Sequence, residues 1–314
     1  MGFINPIGVS TQPCVDRFHY IYQYTGSIFK IVQLYRDTPP LRLHSGKAAE
    51  SYDHKLDASY SRARRTLLEL ALCNPWDYFA TFTINSEKQD RFDLDQWYKR
   101  FYEMIKYQRK VHGLKCRYVF VPERHKDGAW HAHGLFSGNM ELISFADLAA
   151  QGVLLPDKLR NSSYLNWSLY QNTFGNCSFG PIRDPIASGF YMTKYITKDL
   201  ANCVQDVGKH LYYASQGLNR SIKLGSMLVR SDYLDSLLVN KYEYCATGMV
   251  QPGEGWYSDF VYDMLESFPV PQAYPFQVFD FKGSSDPSAP ECESDEFYQT
   301  CFDLGSDLRF FSPG

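Results

Sequence analysis

The stretch PERHKDGAWHAHGLF, residues 122–136, sets two histidines one residue apart among small and apolar neighbours. Side chains at i and i+2 leave a strand on the same face, so His131 and His133 converge while Ala132 points away. Two convergent imidazoles can hold a metal ion, or they can be a pair of satisfied buried histidines. A third ligand separates these readings, and the upstream run CRYVFVPER (116–124) offers Glu123. The connection decides its face. A two-residue loop, Asp127-Gly128, pairs Glu123 with Ala132 and turns the acid away. A three-residue loop, Lys126-Asp127-Gly128, puts Gly128 in the left-handed position of a type I turn plus bulge. Glu123 then stands opposite His131, with Cβ atoms about 5 Å apart. One residue of register thus separates a site from no site, and the three-residue loop is the reading adopted here. Glu123, His131 and His133 form a mixed carboxylate–imidazole set with open positions. Such a set suits Mn²⁺ or Mg²⁺ and does not exclude Zn²⁺. An open site is what Lewis-acid chemistry on a phosphate requires.

Patterns on either side of this hairpin assign the rest of the body. HYIYQYTGSIFKIVQLYR (18–35) reads as a β-hairpin around Thr25-Gly26, and 37–57 is loop-like. SYSRARRTLLELALC (59–73) is helical, with Leu67, Leu68, Leu70 and Leu72 available to pack and Arg62, Arg64 and Arg65 near its start. YFATFTIN (78–85) is a central strand. In 93–113, Leu94, Trp97, Tyr98, Phe101 and Ile105 follow helical spacing up to Gly113. An insertion, helical or loop, runs from the second hairpin strand to about residue 165. A strand near 175–182, a helix near 185–202 and a short strand at 211–215 follow. The order β-α-β-β-(insertion)-β-α-β implies an α+β fold, a central antiparallel sheet with helices on its faces.

Composition limits the function classes. The net charge of −3 hides an asymmetry: residues 1–240 carry 29 basic and 22 acidic side chains, and 241–314 carry 3 and 13. A basic body permits a nucleic-acid partner, and the acidic tail is by default a solvated extension. Tyrosine (24) and phenylalanine (22) are abundant, which suits core packing and also stacking on unpaired bases. The eight cysteines contain no CxxC, and the N-terminal sequence shows neither a basic nor an apolar signal region. No apolar run approaches the roughly 18 residues of a membrane span. Free thiols, a reducing soluble compartment and no membrane partner are the expectations.

A second constellation lies in YMTKYITKD, residues 191–199, with two copies of Tyr-x-x-Lys in register. At about 100° per residue, Tyr191, Lys194, Tyr195 and Lys198 share one helical face. An amphipathic helix with half-buried tyrosines and snorkelling lysines accounts for the same pattern. The chemistry of the neighbouring site favours more. A phenol of pKa about 10 is about one part in a thousand ionised at neutral pH, and adjacent ammonium groups with a divalent cation offset much of that barrier.

FATFTIN, the Glu123…His131-Ala132-His133 hairpin and the Tyr/Lys helix, in this order, resemble the three motifs of HUH endonucleases. The resemblance is to rolling-circle replication initiators of small single-stranded-DNA phages and related plasmids. It extends over about residues 74–220 and includes FGPIRD, YMTKYITKDL and LYYASQGL. It implies an antiparallel, RRM/ferredoxin-like sheet presenting the histidines, with the Tyr helix packed across a divalent metal. It implies nicking of single-stranded DNA or an origin hairpin, with Tyr195 as the nucleophile and Tyr191 as the additional tyrosine of two-tyrosine members. Lys198 or Lys194 neutralises charge, and Arg124, Lys126 and Arg183 are candidate DNA contacts.

On this reading, residues 1–73 form an N-terminal hairpin and helix region, 74–240 the endonuclease domain, and 241–314 an acidic aromatic region. That last region is taken as partly disordered or partner-binding. No GxxxxGK[ST] occurs, so unwinding falls to a partner, a host helicase with other replication proteins in the bacterial cytoplasm. The tail 295–311 is a candidate for recruiting host factors. The alternatives are a conjugative relaxase, a single-tyrosine transposase, or a DNA-binding module with an inactive site.

Overall fold

The computed structural model describes residues 16–25, 28–34, 52–153, 155–196, 210–230, 238, 240–241, 245–252 and 276–279. In chain order the elements begin with β1 (Asp16–Thr25), β2 (Ile28–Leu34), α1 (Tyr52–Leu72), β3 (Tyr78–Thr83), α2 (Leu94–His112), β4 (Cys116–Arg124) and β5 (Trp130–Gly138). Next come β6 (Leu142–Ser144), α3 (Phe145–Ala150), α4 (Asp157–Arg160), β7 (Leu165–Trp167), α5 (Ser168–Thr173), β8 (Cys177–Pro181) and α6 (Pro185–Met192). A 3₁₀ turn, Thr193–Tyr195, precedes β9 (Tyr213–Ala214), β10 (Ile222–Arg230), β11 (Asn240–Lys241), β12 (Cys245–Pro252) and β13 (Phe276–Phe279). The fold is α+β. The described residues form two compact units, one from segments within Met1–Gly46 and Ser221–Ser284, the other within Lys47–Arg220.

The first unit is an antiparallel sheet in the order β10-β1-β2-β12-β11, with β13 beside β12. The β1–β2 hairpin is the one that the alternation of 18–35 predicts, with Ile21 opposite Ile31. Ile21, Ile28, Phe29, Ile31, Met249 and Val250 are buried in it. Strand β13 falls beyond residue 250, where the sequence mixes Pro, Gly and aromatics without clear periodicity. The expected acidic tail at 295–311 lies outside the described residues.

The second unit carries the hairpin. Its seven strands run β6-β7-β8-β3-β5-β4-β9, and every pair is antiparallel. Alternation gives this sheet two faces. On one, Phe82 and Phe120 pack against Trp97 and Phe101 of α2, with Tyr170 of α5 beside Phe82. These rings are fully buried in the core. On the other face, Phe79 and His133 meet the α6 end of the chain. Helix α1 packs along α6, where an added Cβ on Gly189 would lie 3.0 Å from Leu72 Cδ2.

The ends of α2 follow from its sequence. Asp93 accepts from the Gln96 amide at 2.9 Å, and Gly113 closes the helix at φ 67°. Three expectations need correction. Helix α1 starts at Tyr52, inside the segment read as loop, because no glycine or proline interrupts 47–74. The insertion contributes β6 and β7, three-residue strands too short to leave a period-two signal. The helix read as 185–202 stops at Met192 and tightens into the 3₁₀ turn, and 197–209 lie outside the described residues. Cys73, Cys116 and Cys177 are free thiols, as expected. Among the described residues no helix is long and apolar enough to cross a membrane.

Gly134, directly after the second histidine, marks a tight spot in the sheet. A Cβ there would sit 2.5 Å from Phe120 Cβ and 2.8 Å from the Val119 carbonyl oxygen. Both neighbours belong to the paired strand and have little freedom to move. Gly134→Ala is therefore expected to destabilise the protein by about 1–3 kcal/mol, read as a lower urea midpoint with unchanged slope.

Candidate functional site

The bend between β4 and β5 takes the three-residue connection. The ladder runs through Glu123 opposite His131 and Arg124 opposite Trp130, and the His125 amide then donates to the Ala129 carbonyl at 2.8 Å. The Gly128 amide closes the turn on the His125 carbonyl at 2.8 Å, and Gly128 has φ 86°, where a side chain would be strained. Asp127 caps the bend by accepting from the Ala129 amide at 3.0 Å, and it pairs with Arg91. The Trp130 amide and indole donate to the carbonyls of Arg91 and Phe92, which ties the hairpin to the loop before α2.

This register puts Glu123, His131 and His133 on one face. The acid pairs across the ladder with His131 but bonds diagonally: Glu123 Oε2 lies 2.8 Å from His133 Nε2. On the other side, β3 sets Thr83 opposite His131 and Thr81 opposite His133. Their hydroxyls stand 3.5 Å and 3.2 Å from the respective Nδ1 atoms. A threonine on Nδ1 orients each ring and directs Nε2 towards the acid side. The Glu123 side chain retains 49% of its exposure and His133 only 2%, so the site has a buried floor and an open rim.

The electrostatics follow from that depth. Burial, with the His125 and His133 charges, pushes the His131 imidazole down to about 3, against a smaller raising effect of Glu123. Burial alone would raise the Glu123 carboxyl. The hydrogen bond from His133 and the charges of His133, His131 and His125 outweigh it and hold the acid below its usual value. The site therefore combines an anionic carboxylate with a neutral imidazole at His131 near neutral pH. The three side chains fit a divalent cation in donor type, face and register. Among the described residues, however, no three such groups already form a ready-made cage. Ligation would exchange the Glu123–His133 hydrogen bond for bonds to the ion.

The α6 end brings the tyrosines to this floor. Asp184 caps α6 by accepting from the Ile186 and Ala187 amides, both at 2.9 Å, with Pro185 at the first position. The 3₁₀ turn then swings Tyr195 onto His133, the two rings stacked at 4.1 Å and 11°. The Tyr195 hydroxyl donates to that of Tyr191 at 3.0 Å, and Lys194 Nζ lies 4.7 Å from the centre of the Tyr191 ring. Both tyrosines rest on Phe79. Lys198 lies outside the described residues, so the four-residue face is seen only through Tyr195. Arg124, Lys126 and Arg183 are exposed. Arg124 also donates to the Gly128 carbonyl at 3.2 Å and covers the Trp130 ring.

Sequence reasoning missed four groups. Thr81 and Thr83 could have been found, since they alternate in FATFTIN as the histidines do in the neighbouring strand. Arg64 reaches Thr193 Oγ1 at 3.4 Å, holding the 3₁₀ turn from α1, and no sequence signal links the two. His125, in the bend, has its ring 5.1 Å from that of His131.

Residues 77–200, which contain all of these site residues except Arg64, match the family model described as replication-associated protein ORF2/G2P. The match supports a replication-related role. No curated protein and no solved structure gives a significant match to the chain.

The depressed His131 value has a measurable consequence. In the unfolded chain this imidazole protonates near 6.5, whereas in the fold it stays neutral to about 3. The unfolded state thus binds more protons between those values, and stability must fall as pH drops through that window. In chelator-treated protein, Tm is expected to decline from pH 6.5 downwards. The His131 NMR resonances should stay in the neutral form at pH 5, and a His131 midpoint near 6.5 would contradict the geometry.

Proposed function

We propose that the protein is a rolling-circle replication initiator that nicks single-stranded origin DNA through Tyr195 and later rejoins the strand. The observation that carries this reading is the stacking of Tyr195 on His133 while His133 is bonded to Glu123. A nucleophile able to form a covalent intermediate lies against the acid–imidazole floor, and the exposed Glu123 rim gives a phosphate a way in. The replication-family match spans the same residues.

In the proposed reaction the Tyr195 oxygen attacks the scissile phosphorus. The bond to the 3′ oxygen breaks, that oxygen takes up a proton as a free 3′-OH, and the 5′ phosphate stays on tyrosine. The phosphodiester energy is conserved, so a second nucleophile can reclose the strand. Tyr191, which accepts the Tyr195 hydrogen bond, orients the attacking hydroxyl and is placed to act as that second nucleophile. Lys194 sets positive charge beside the phenol pair, offsetting the negative charge that develops on phenolate and phosphate. Glu123, His131 and His133 would hold a divalent cation, Mn²⁺ or Mg²⁺, which when bound supplies Lewis-acid polarisation of the phosphate. Arg124, Lys126 and Arg183 are proposed to hold flanking phosphates, and duplex opening is left to a host helicase.

Incubation with single-stranded origin oligonucleotides in Mn²⁺ is expected to give a covalent adduct that EDTA abolishes. Tyr195→Phe should lower adduct formation by about two orders of magnitude or more. Tyr191→Phe should still cleave but lose strand transfer to a second acceptor. Wild-type adduct yield from Tyr195→Phe would overturn the assignment, and binding without any cleavage would mark a DNA-binding module with an inactive site.

A further inference from the structure

The β9 edge of the second sheet holds a cavity of about 520 Å³ that the nicking chemistry does not use. Its walls come from three elements: Arg62 and Thr66 of α1, Tyr98 of α2, and His210, Tyr212 and Tyr213 around β9. The volume lies in the range of pockets that bury small organic ligands. Its lining combines the rings of Tyr98, Tyr212 and Tyr213 with the guanidinium of Arg62. Tyr98 and Tyr213 lie ring to ring at 4.0 Å and 34°, and His210 meets the Tyr213 ring edge-on at 6.0 Å. Burial raises both the Tyr98 and Tyr213 hydroxyls above their ordinary value, so neither adds negative charge. Asp95 lies near Tyr213, which leaves Arg62 as the lining group suited to an anion. Arg62 and His210 are exposed, and Tyr98 and Tyr212 are half-buried.

We propose that this cavity binds one unpaired nucleobase together with its phosphate, supplied by single-stranded DNA. The base stacks on the tyrosine wall and the phosphate meets Arg62. The position supports the choice of ligand. Ala214 stands opposite Val119 on β4, four residues before Glu123 and on the same side of the ladder, while Tyr213, opposite Phe120, lies on the α2 side, so the cavity wraps the β9 edge. At 3.4 Å per residue, the cavity is about 14 Å along the strand from the acid. A single strand held at the tyrosines can span that distance in a few nucleotides. Occupancy of the cavity would then fix which phosphate lies over Tyr195. This deepens the nicking reading and rests on it for the strand's path, although binding in the cavity can be measured without cleavage.

The test uses the full chain in EDTA and the fluorescence anisotropy of a labelled oligothymidylate. Arg62→Ala and Tyr212→Ala should each weaken binding by about tenfold, the share of one stacked or charge-paired base. Both sites reach solvent, and unchanged far-UV circular dichroism checks each variant's fold. Thymidine 5′-monophosphate provides the second arm. Resonance shifts at 210–214 with the oligonucleotide support a strand-borne base. Shifts with the mononucleotide alone assign the same chemistry to a free nucleotide and overturn the strand as its source. Unchanged affinity in both variants, with no shifts from either ligand, removes the site. If covalent adducts fail to form while the cavity still binds, the nicking reading falls and the cavity stands.

Discussion

Side chains in a strand alternate between faces, so the pairing of β4 with β5 decides whether the second sheet has a site. Glu123 meets His131 because three residues, and not two, span the bend. That count is held by Gly128 at φ 86°, by two backbone hydrogen bonds across the turn, and by Asp127 capping Ala129 while paired with Arg91. A slip by one residue would send the acid to the side occupied by Phe120 and Trp97, where a carboxylate has no partner and no water. The core enforces the register as strongly as the turn does. The hydrophobic pattern and the polar site are thus one constraint seen from two faces.

Much of this arrangement could be read from the residues. The bend, the strand β4 and the α2 helix follow from Gly128, from the apolar run in 116–124, and from the helical spacing of 94–105 with its stop at Gly113. Local chemistry alone sets each of these. The threonines on β3 were half legible: their alternation was visible, but only pairing shows that each meets one histidine. The short strands β6 and β7 carry no periodicity in three residues and exist because β8 offers an edge to pair with. Strand β12 has its place set by β2 on the far side of the sequence.

The α6 end shows how a correct spacing can survive an incorrect element. Helical periodicity places Tyr191 and Tyr195 one turn apart, and in the structure their hydroxyls do meet. The helix nevertheless ends between them. Thr193 turns its hydroxyl back onto the Phe190 carbonyl at 2.7 Å, a local bond that competes with continued α-helix. The same Thr193 oxygen is reached by Arg64 from α1. A 3₁₀ turn at a helix end keeps neighbouring side chains close while changing their direction. That change of direction is what lays the Tyr195 ring flat on His133.

The two faces of the sheet divide the work. Against α2, interlocked aromatic rings leave no freedom for β3, β4 and β5 to shift. Against α6, the same strands present polar groups whose positions must hold to a fraction of an ångström. His133 is fully buried on this second face, yet it remains polar on both nitrogens, with Thr81 at one and Glu123 at the other. A buried imidazole so satisfied cannot rotate without losing a hydrogen bond at each end. Rigidity therefore passes from the aromatic core through the backbone ladder to the ring on which Tyr195 rests. The one side chain of the trio that keeps its exposure is Glu123, the carboxylate at the rim, where an incoming ion or phosphate would first be met.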